Sequence, residues 1–129
     1  MHQSKILLAD DCRTIRVVVS RYLKAAGFDV TLAENGNEAL AAASHEEFAL
    51  ILMDLQMPQC DGHSAKTQIR QSDTFNTHTP VIFLTSESTQ HLDDIGIRSD
   101  SVLSKPVSEE ALMKKVHELI PSSNREPAC

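Results

Sequence analysis

What most constrains this chain is a repeated pairing: a short apolar run ending in a polar or charged residue, then a stretch with helical spacing. Residues 5–10 carry Ile6-Leu7-Leu8-Ala9 and end in acid, and 49–54 repeat the arrangement up to Asp54. Residues 81–84 form a third run ahead of Thr85, and 100–105 a last one. Such apolar runs fit strands buried on both faces. Phe28, Val30 and Leu32 alternate with Asp29, Thr31 and Ala33, the period of a strand.

The intervening stretches read as helices. Ile15, Val18, Val19, Tyr22 and Ala26 form one apolar stripe that Gly27 stops. Asn35 and Glu38 stand three apart, a variant of the capping box, and open a helix running to about His45. A loop at 55–61 containing Pro58 leads through Gly62 to a third helix near 64–71, and 73–79 is polar enough to be a loop. A weak helical stretch is expected at 88–95. Val107 and Leu112 bracket Ser108 as staple and N-cap of a last helix with the stripe Leu112, Val116, Leu119 and Ile120, stopped by Pro121. Five strand–helix units imply a parallel sheet covered on both faces and joined by right-handed crossovers. Ligands of such open sheets bind at the carboxyl ends of the strands.

At 129 residues the chain is one domain's worth, expected to occupy 1–121 with a disordered tail over 122–129. A hydrophobic content of 41% is that of a globular protein, and a net charge of −6 gives no broad field to attract nucleic acid. No apolar run approaches the ~20 residues of a membrane span, so no membrane insertion is expected. Met1 to Lys5 leads straight into a strand, so no cleavable signal peptide is expected. Cys12, Cys60 and Cys129 are odd in number and lack CxxC spacing, which reads as reduced thiols in the cytoplasm.

The strand ends carry one charge cluster. The first ends in Asp10-Asp11, the third in Asp54, the fourth in Thr85-Ser86 and the fifth in Lys105-Pro106. Three carboxylates and one ammonium sum to −2. At ~4 Å and an effective dielectric of ~20, each like-charged pair costs ~4 kcal/mol. A divalent cation brings the sum to zero, and oxygen ligands completed by water suit magnesium. A hard cation beside an accessible carboxylate, faced by a lysine and a hydroxyl, is an arrangement for phosphoryl transfer.

The blocks Ala9-Asp10-Asp11, Met53-Asp54-Leu55-Gln56-Met57-Pro58-Gln59-Cys60-Asp61-Gly62, Leu84-Thr85-Ser86 and Ser104-Lys105-Pro106 resemble the four signature blocks of response-regulator receiver domains. The likeness covers about residues 5–120. It implies a flavodoxin-like (βα)5 α/β sandwich whose five-stranded parallel sheet has the order 2-1-3-4-5. It also implies that Asp54 is the phosphoacceptor and that Asp11, Asp54 and the backbone carbonyl of Gln56 hold Mg2+, with Asp10 orienting metal-bound water. Thr85 would be the switch hydroxyl and Lys105 the partner of the phosphoryl group. The implied donor is a sensor histidine kinase, including the hybrid kind, or a histidine phosphotransfer protein. The implied activity is self-catalysed phosphorylation and dephosphorylation rather than conventional enzymology. Output to a downstream protein target would use the face of the fourth helix, fifth strand and fifth helix. With so short a chain the expectation is a stand-alone regulator.

Val102 stands where most receivers carry an aromatic, and the interval from Thr85 to Lys105 is about two residues short of the family pattern. Arg98-Ser99 replace a small Gly-Ala pair, and Ser64 replaces an acid. The first three departures concern the output side, and 88–98, with Ser, Thr, two Asp and Gly among few apolar residues, predicts a short or irregular fourth helix. Cys12 and Cys60 are expected to be small packing residues, and Asp93-Asp94 a solvated face. A haloacid-dehalogenase-type phosphatase would need an acid at position 56 and its acid pair late in the chain. A flavodoxin-like binding module would need a Gly/Ser/Thr-rich phosphate loop where Asp10-Asp11-Cys12 stand. A degenerate receiver acting as a scaffold is opposed by the complete acid, hydroxyl and lysine set.

Overall fold

The structure, a computed structural model, describes residues 4–55, 57, 62–71, 76, 79–86 and 102–120. Strands β1 (Lys5–Ala9), β2 (Asp29–Ala33), β3 (Leu50–Asp54), β4 (Val81–Thr85) and β5 (Val102–Ser104) form one sheet in the order β2-β1-β3-β4-β5. Every pairing is parallel. Helices α1 (Arg13–Ala25), α2 (Gly36–Ala43), α3 (Gly62–Gln71) and α4 (Glu109–Leu119) complete the described elements. The α/β architecture and the strand order are those expected from the sequence. The helical stretch expected at 88–95 lies outside the described residues, as do Asp93-Asp94, Cys60 and the tail.

Two cores sit on opposite faces of the sheet. Leu7, Ile51, Met53 and Phe83 pack with Ala39, Ala43, Ala65 and Ile69 of α2 and α3. Ile6, Leu8, Leu52, Ile82 and Leu84 pack with Val19, Leu23, Leu112 and Val116 of α1 and α4. All five residues of β3 and of β4 are buried, as their continuous apolar runs require. β2 is one of the two edge strands, and there the alternation misleads: Val30 is half-buried but Leu32 is 48% exposed, while Ala33 is buried against the other core. An edge strand has a neighbour on one side only, so part of its inner face lies beyond the reach of the covering helix.

Local chemistry fixes the helix ends. Gly27 takes a φ of 95°, where Phe28 N–H donates to Leu23 O (3.1 Å) and Gly27 N–H to Lys24 O (3.0 Å). This is the Schellman pattern, with Phe28 and Leu23 meeting in the same core. At α2, Asn35 Oδ1 accepts from Glu38 N–H (2.8 Å), but Glu38 Oε1 accepts from Glu34 N–H (2.8 Å) rather than from Asn35. The capping box is thus displaced by one residue. α2 ends at Ala43, two residues before the expected end. Ser108 Oγ accepts from Ala111 N–H (3.1 Å), with Glu109 and Glu110 at the positive end of the α4 dipole and Val107 and Leu112 buried together.

The loop before β4 holds an unexpected buried residue. Asn76 is 0% exposed, and its carboxamide joins two chain segments. It donates to Ala43 O (2.7 Å) and Glu46 O (2.8 Å) and accepts from Phe48 N–H (2.8 Å) and Thr79 Oγ1 (3.0 Å).

Candidate functional site

The carboxyl ends of β1, β3, β4 and β5 converge on one rim. Asp54 is the last residue of β3 and is 3% exposed; Thr85 is the last of β4 and is 1% exposed. Asp10 follows β1 directly and is fully buried, while its neighbour Asp11 is exposed at the lip. Lys105 follows β5, its backbone N–H bonded to Thr85 O (2.8 Å), so the lysine is fixed to the end of β4 as well. Its Nζ lies 3.1 Å from Asp10 Oδ2 and 3.1 Å from Asp54 Oδ1. One carboxylate oxygen from each of Asp10, Asp11 and Asp54 falls within 4.8 Å of the others. The sequence-predicted cluster is therefore assembled, with Thr85 buried at the same rim. Gln56 and Pro58 lie outside the described residues.

The electrostatics follow from crowding. Asp54 is pushed up from the ordinary 3.8 to about 6, first by burial and then by the negative charge of Asp10 and by Asp11, against the lowering effect of Lys105. Burial alone would lower the Lys105 ammonium, but its close pairing with the carboxylates of Asp10 and Asp54 holds it above its ordinary value. One ammonium shared between two carboxylates does not neutralise three.

Asp10 shows what the cluster still needs. Its Oδ1 accepts from Cys12 N–H at 2.8 Å. Its Oδ2 is buried, faces Lys105 Nζ off the line of a hydrogen bond, and accepts from no aligned donor among the described residues. A buried carboxylate oxygen without a donor is costly. A hard divalent cation with its bound water supplies both the charge and the donor, so the residues present fit such an ion.

Two further residues shape this end of the sheet. Cys12 is exposed rather than packed: as N-cap residue of α1 it contributes its backbone to Asp10 and leaves its thiol outside. Arg16, which apolar spacing passes over, is largely covered; Nη1 donates to Asp10 O (2.5 Å) and Nη2 pairs with Glu34 Oε1 (3.3 Å). The signal for Arg16 is its place three, four and seven residues ahead of the buried Val19, Ser20 and Leu23 on α1, a face where a long aliphatic stem can lie covered.

Comparison with known proteins agrees with this geometry. The family model of the response regulator receiver domain matches residues 6–117, and the chain belongs to that family. The transcriptional regulatory protein SrrA of Staphylococcus aureus is 32% identical over 119 residues, covering 91% of this chain and 48% of that protein. The chain thus spans about half the length of the curated relatives it matches. Among solved structures, the chemotaxis response regulator CheY4 of Vibrio cholerae is 32% identical with a TM-score of 0.80, over 92% of this chain and 99% of that one. The receiver domain of sensor histidine kinase PA1611 from Pseudomonas aeruginosa is 28% identical with a TM-score of 0.84, over 94% of this chain and all 100% of that one. That structure has a magnesium ion coordinated in its active site cleft. The protein is accordingly a receiver domain of two-component signalling, a class that works with histidine kinases or phosphotransfer proteins. No helix among the described residues is long and apolar enough to cross a membrane.

Proposed function

We propose that this receiver takes a phosphoryl group from the phosphohistidine of a sensor kinase or phosphotransfer protein onto Asp54 and later releases it by hydrolysis. The observation that carries this is the placement of Lys105 Nζ 3.1 Å from both Asp10 and Asp54 within a three-carboxylate cluster. Asp11 and Asp54 would hold Mg2+, with Gln56 lending its backbone carbonyl and Asp10 receiving a hydrogen bond from metal-bound water. When bound, the ion neutralises charge on the transferring group. The chain's own groups do the rest. Asp54 supplies the attacking oxygen from a strand end that cannot recoil, Lys105 pairs with the transferred group, and the Thr85 hydroxyl follows it. In this reading residues 1–121 form the receiving unit of a cytoplasmic protein, and output passes through the face that includes β5 and α4.

Acetyl phosphate with Mg2+ is expected to label Asp54 alone, read by mass spectrometry after borohydride trapping. Labelling that survives Asp54→Asn, or that needs no divalent ion, overturns the reading. Lys105→Ala should still accept phosphate, because charge neutralisation by the ion remains, but amide shifts on phosphorylation should shrink toward those of the free protein. Shifts as large as those of the wild type would remove Lys105 from its assigned role.

A further inference from the structure

We infer that Arg16 is a positioning residue for the metal-binding turn, acting through the backbone of Asp10 rather than through its charge; the inference rests on the magnesium reading above. The turn leaving β1 must present two adjacent carboxylates in opposite senses, Asp10 inward and buried, Asp11 outward to the lip. Rotation of the peptide between them would carry Asp11 away from Asp54 without disturbing β1. That peptide is held by its carbonyl, and Arg16 Nη1 donates to it at 2.5 Å. Asp10 N–H is tied to Ala33 O (3.1 Å) and Asp10 Oδ1 to Cys12 N–H (2.8 Å), so the residue ahead of the rotation is already fixed. Arg16 itself cannot wander. Its backbone N–H bonds Cys12 O (3.1 Å), and its other arm pairs with Glu34, whose own N–H is held by Glu38. The fork of a guanidinium offers a separate donor nitrogen to each acceptor in one rigid plane.

The sign of the effect separates positioning from charge. A guanidinium beside a cation site repels the cation, so if charge decided the matter, removing Arg16 would tighten magnesium binding. Positioning demands the reverse. Loss of an outer residue that orients ligands weakens metal binding by about 10–100-fold, and Arg16→Ala is expected near the lower end of that span.

The experiment is a titration of the full chain with Mg2+ alone, followed by backbone amide shifts, with thermal unfolding by circular dichroism as the check on folding. Arg16→Ala should bind about tenfold more weakly, Arg16→Lys should recover part of the loss, and Glu34→Gln, which spares the carbonyl contact, should stay close to wild type. In an Asp11→Asn background the further loss from Arg16→Ala should largely vanish, because the ligand it positions is already gone. Should Arg16→Ala fail to fold, Arg16→Gln is read instead, with weaker binding again expected. A folded variant that binds Mg2+ as tightly as wild type, or more tightly, overturns the inference while wild-type binding that depends on Asp11 leaves the functional reading standing. Wild-type protein that does not bind Mg2+, or binds it independently of Asp11, overturns both.

Discussion

Asn76→Ala should lower the free energy of unfolding by ~3–5 kcal/mol, although Asn76 lies at the end of the sheet opposite the acid cluster. The carboxamide is fully buried and fully used, two donors to the carbonyls of Ala43 and Glu46 and one oxygen accepting from Phe48 N–H and Thr79 Oγ1. Truncation strands the Phe48 amide and two carbonyls, and each unsatisfied buried group costs ~1–3 kcal/mol. The sum is discounted because the segments are coupled and water can enter the vacated space. Asn76→Asp keeps the shape but loses both donors and sets a carboxylate against two carbonyl oxygens. It should be no better than Ala at neutral pH. Urea denaturation of the two variants beside wild type is the measurement; a loss under ~1 kcal/mol for both would show that the network adds little beyond what solvent replaces.

That residue also marks where the sequence stops being legible. Asparagine in a polar stretch is ordinary turn chemistry, and nothing in local spacing says that its side chain crosses to another loop. Burial of Asn76 depends on how α2 and α3 bring their ends together, a tertiary fact. Arg16 escapes for a related reason: apolar periodicity counts arginine as polar and misses a side chain whose stem is covered and whose head is spent on a backbone carbonyl. Leu32 goes the other way, since alternation assigns it a face but not an edge strand. The expectation that Cys12 is a packing residue fails because its backbone N–H serves Asp10 while its side chain, which makes no cap hydrogen bond, stays exposed. By contrast β3 and β4 are legible because an unbroken apolar run permits little else in a parallel sheet. The cluster is legible because parallel strands deliver their last residues to one rim. Asp10, Asp54, Thr85 and Lys105 need only that rule to be placed together.

The crowding around Asp54 makes its charge a burden on the resting fold. Asp54→Asn should therefore stabilise the protein in the absence of divalent ions by ~1–3 kcal/mol at neutral pH, since each tenfold difference in proton affinity between the folded and unfolded chain is worth ~1.4 kcal/mol. The sign follows from direction: Asp54 is raised from 3.8 to about 6 by burial first and Asp10 next, so the folded state favours its protonated form. Below its ordinary value the group is protonated whether the chain is folded or not, and the fold bears no penalty. As pH rises through the folded value of about 6, the native state must release a proton it holds more tightly than the unfolded chain does, and that part of the stability is lost. Asparagine never bears the penalty. The variant's advantage should be smallest below the ordinary carboxylate value of 3.8, grow as pH climbs to about 6 and level off above it. Magnesium should act on wild type in the opposite sense, because an ion that binds only the folded state stabilises it by mass action, and the variant lacks one carboxylate ligand. The gap between the two proteins should then narrow or invert as Mg2+ is added. Denaturant titrations from acid to neutral pH, with chelator and with Mg2+, test each limb. A gap that does not change with pH would assign the stabilisation to packing instead of charge, and a wild type more stable than Asp54→Asn in chelator at neutral pH would refute the strained-carboxylate account outright.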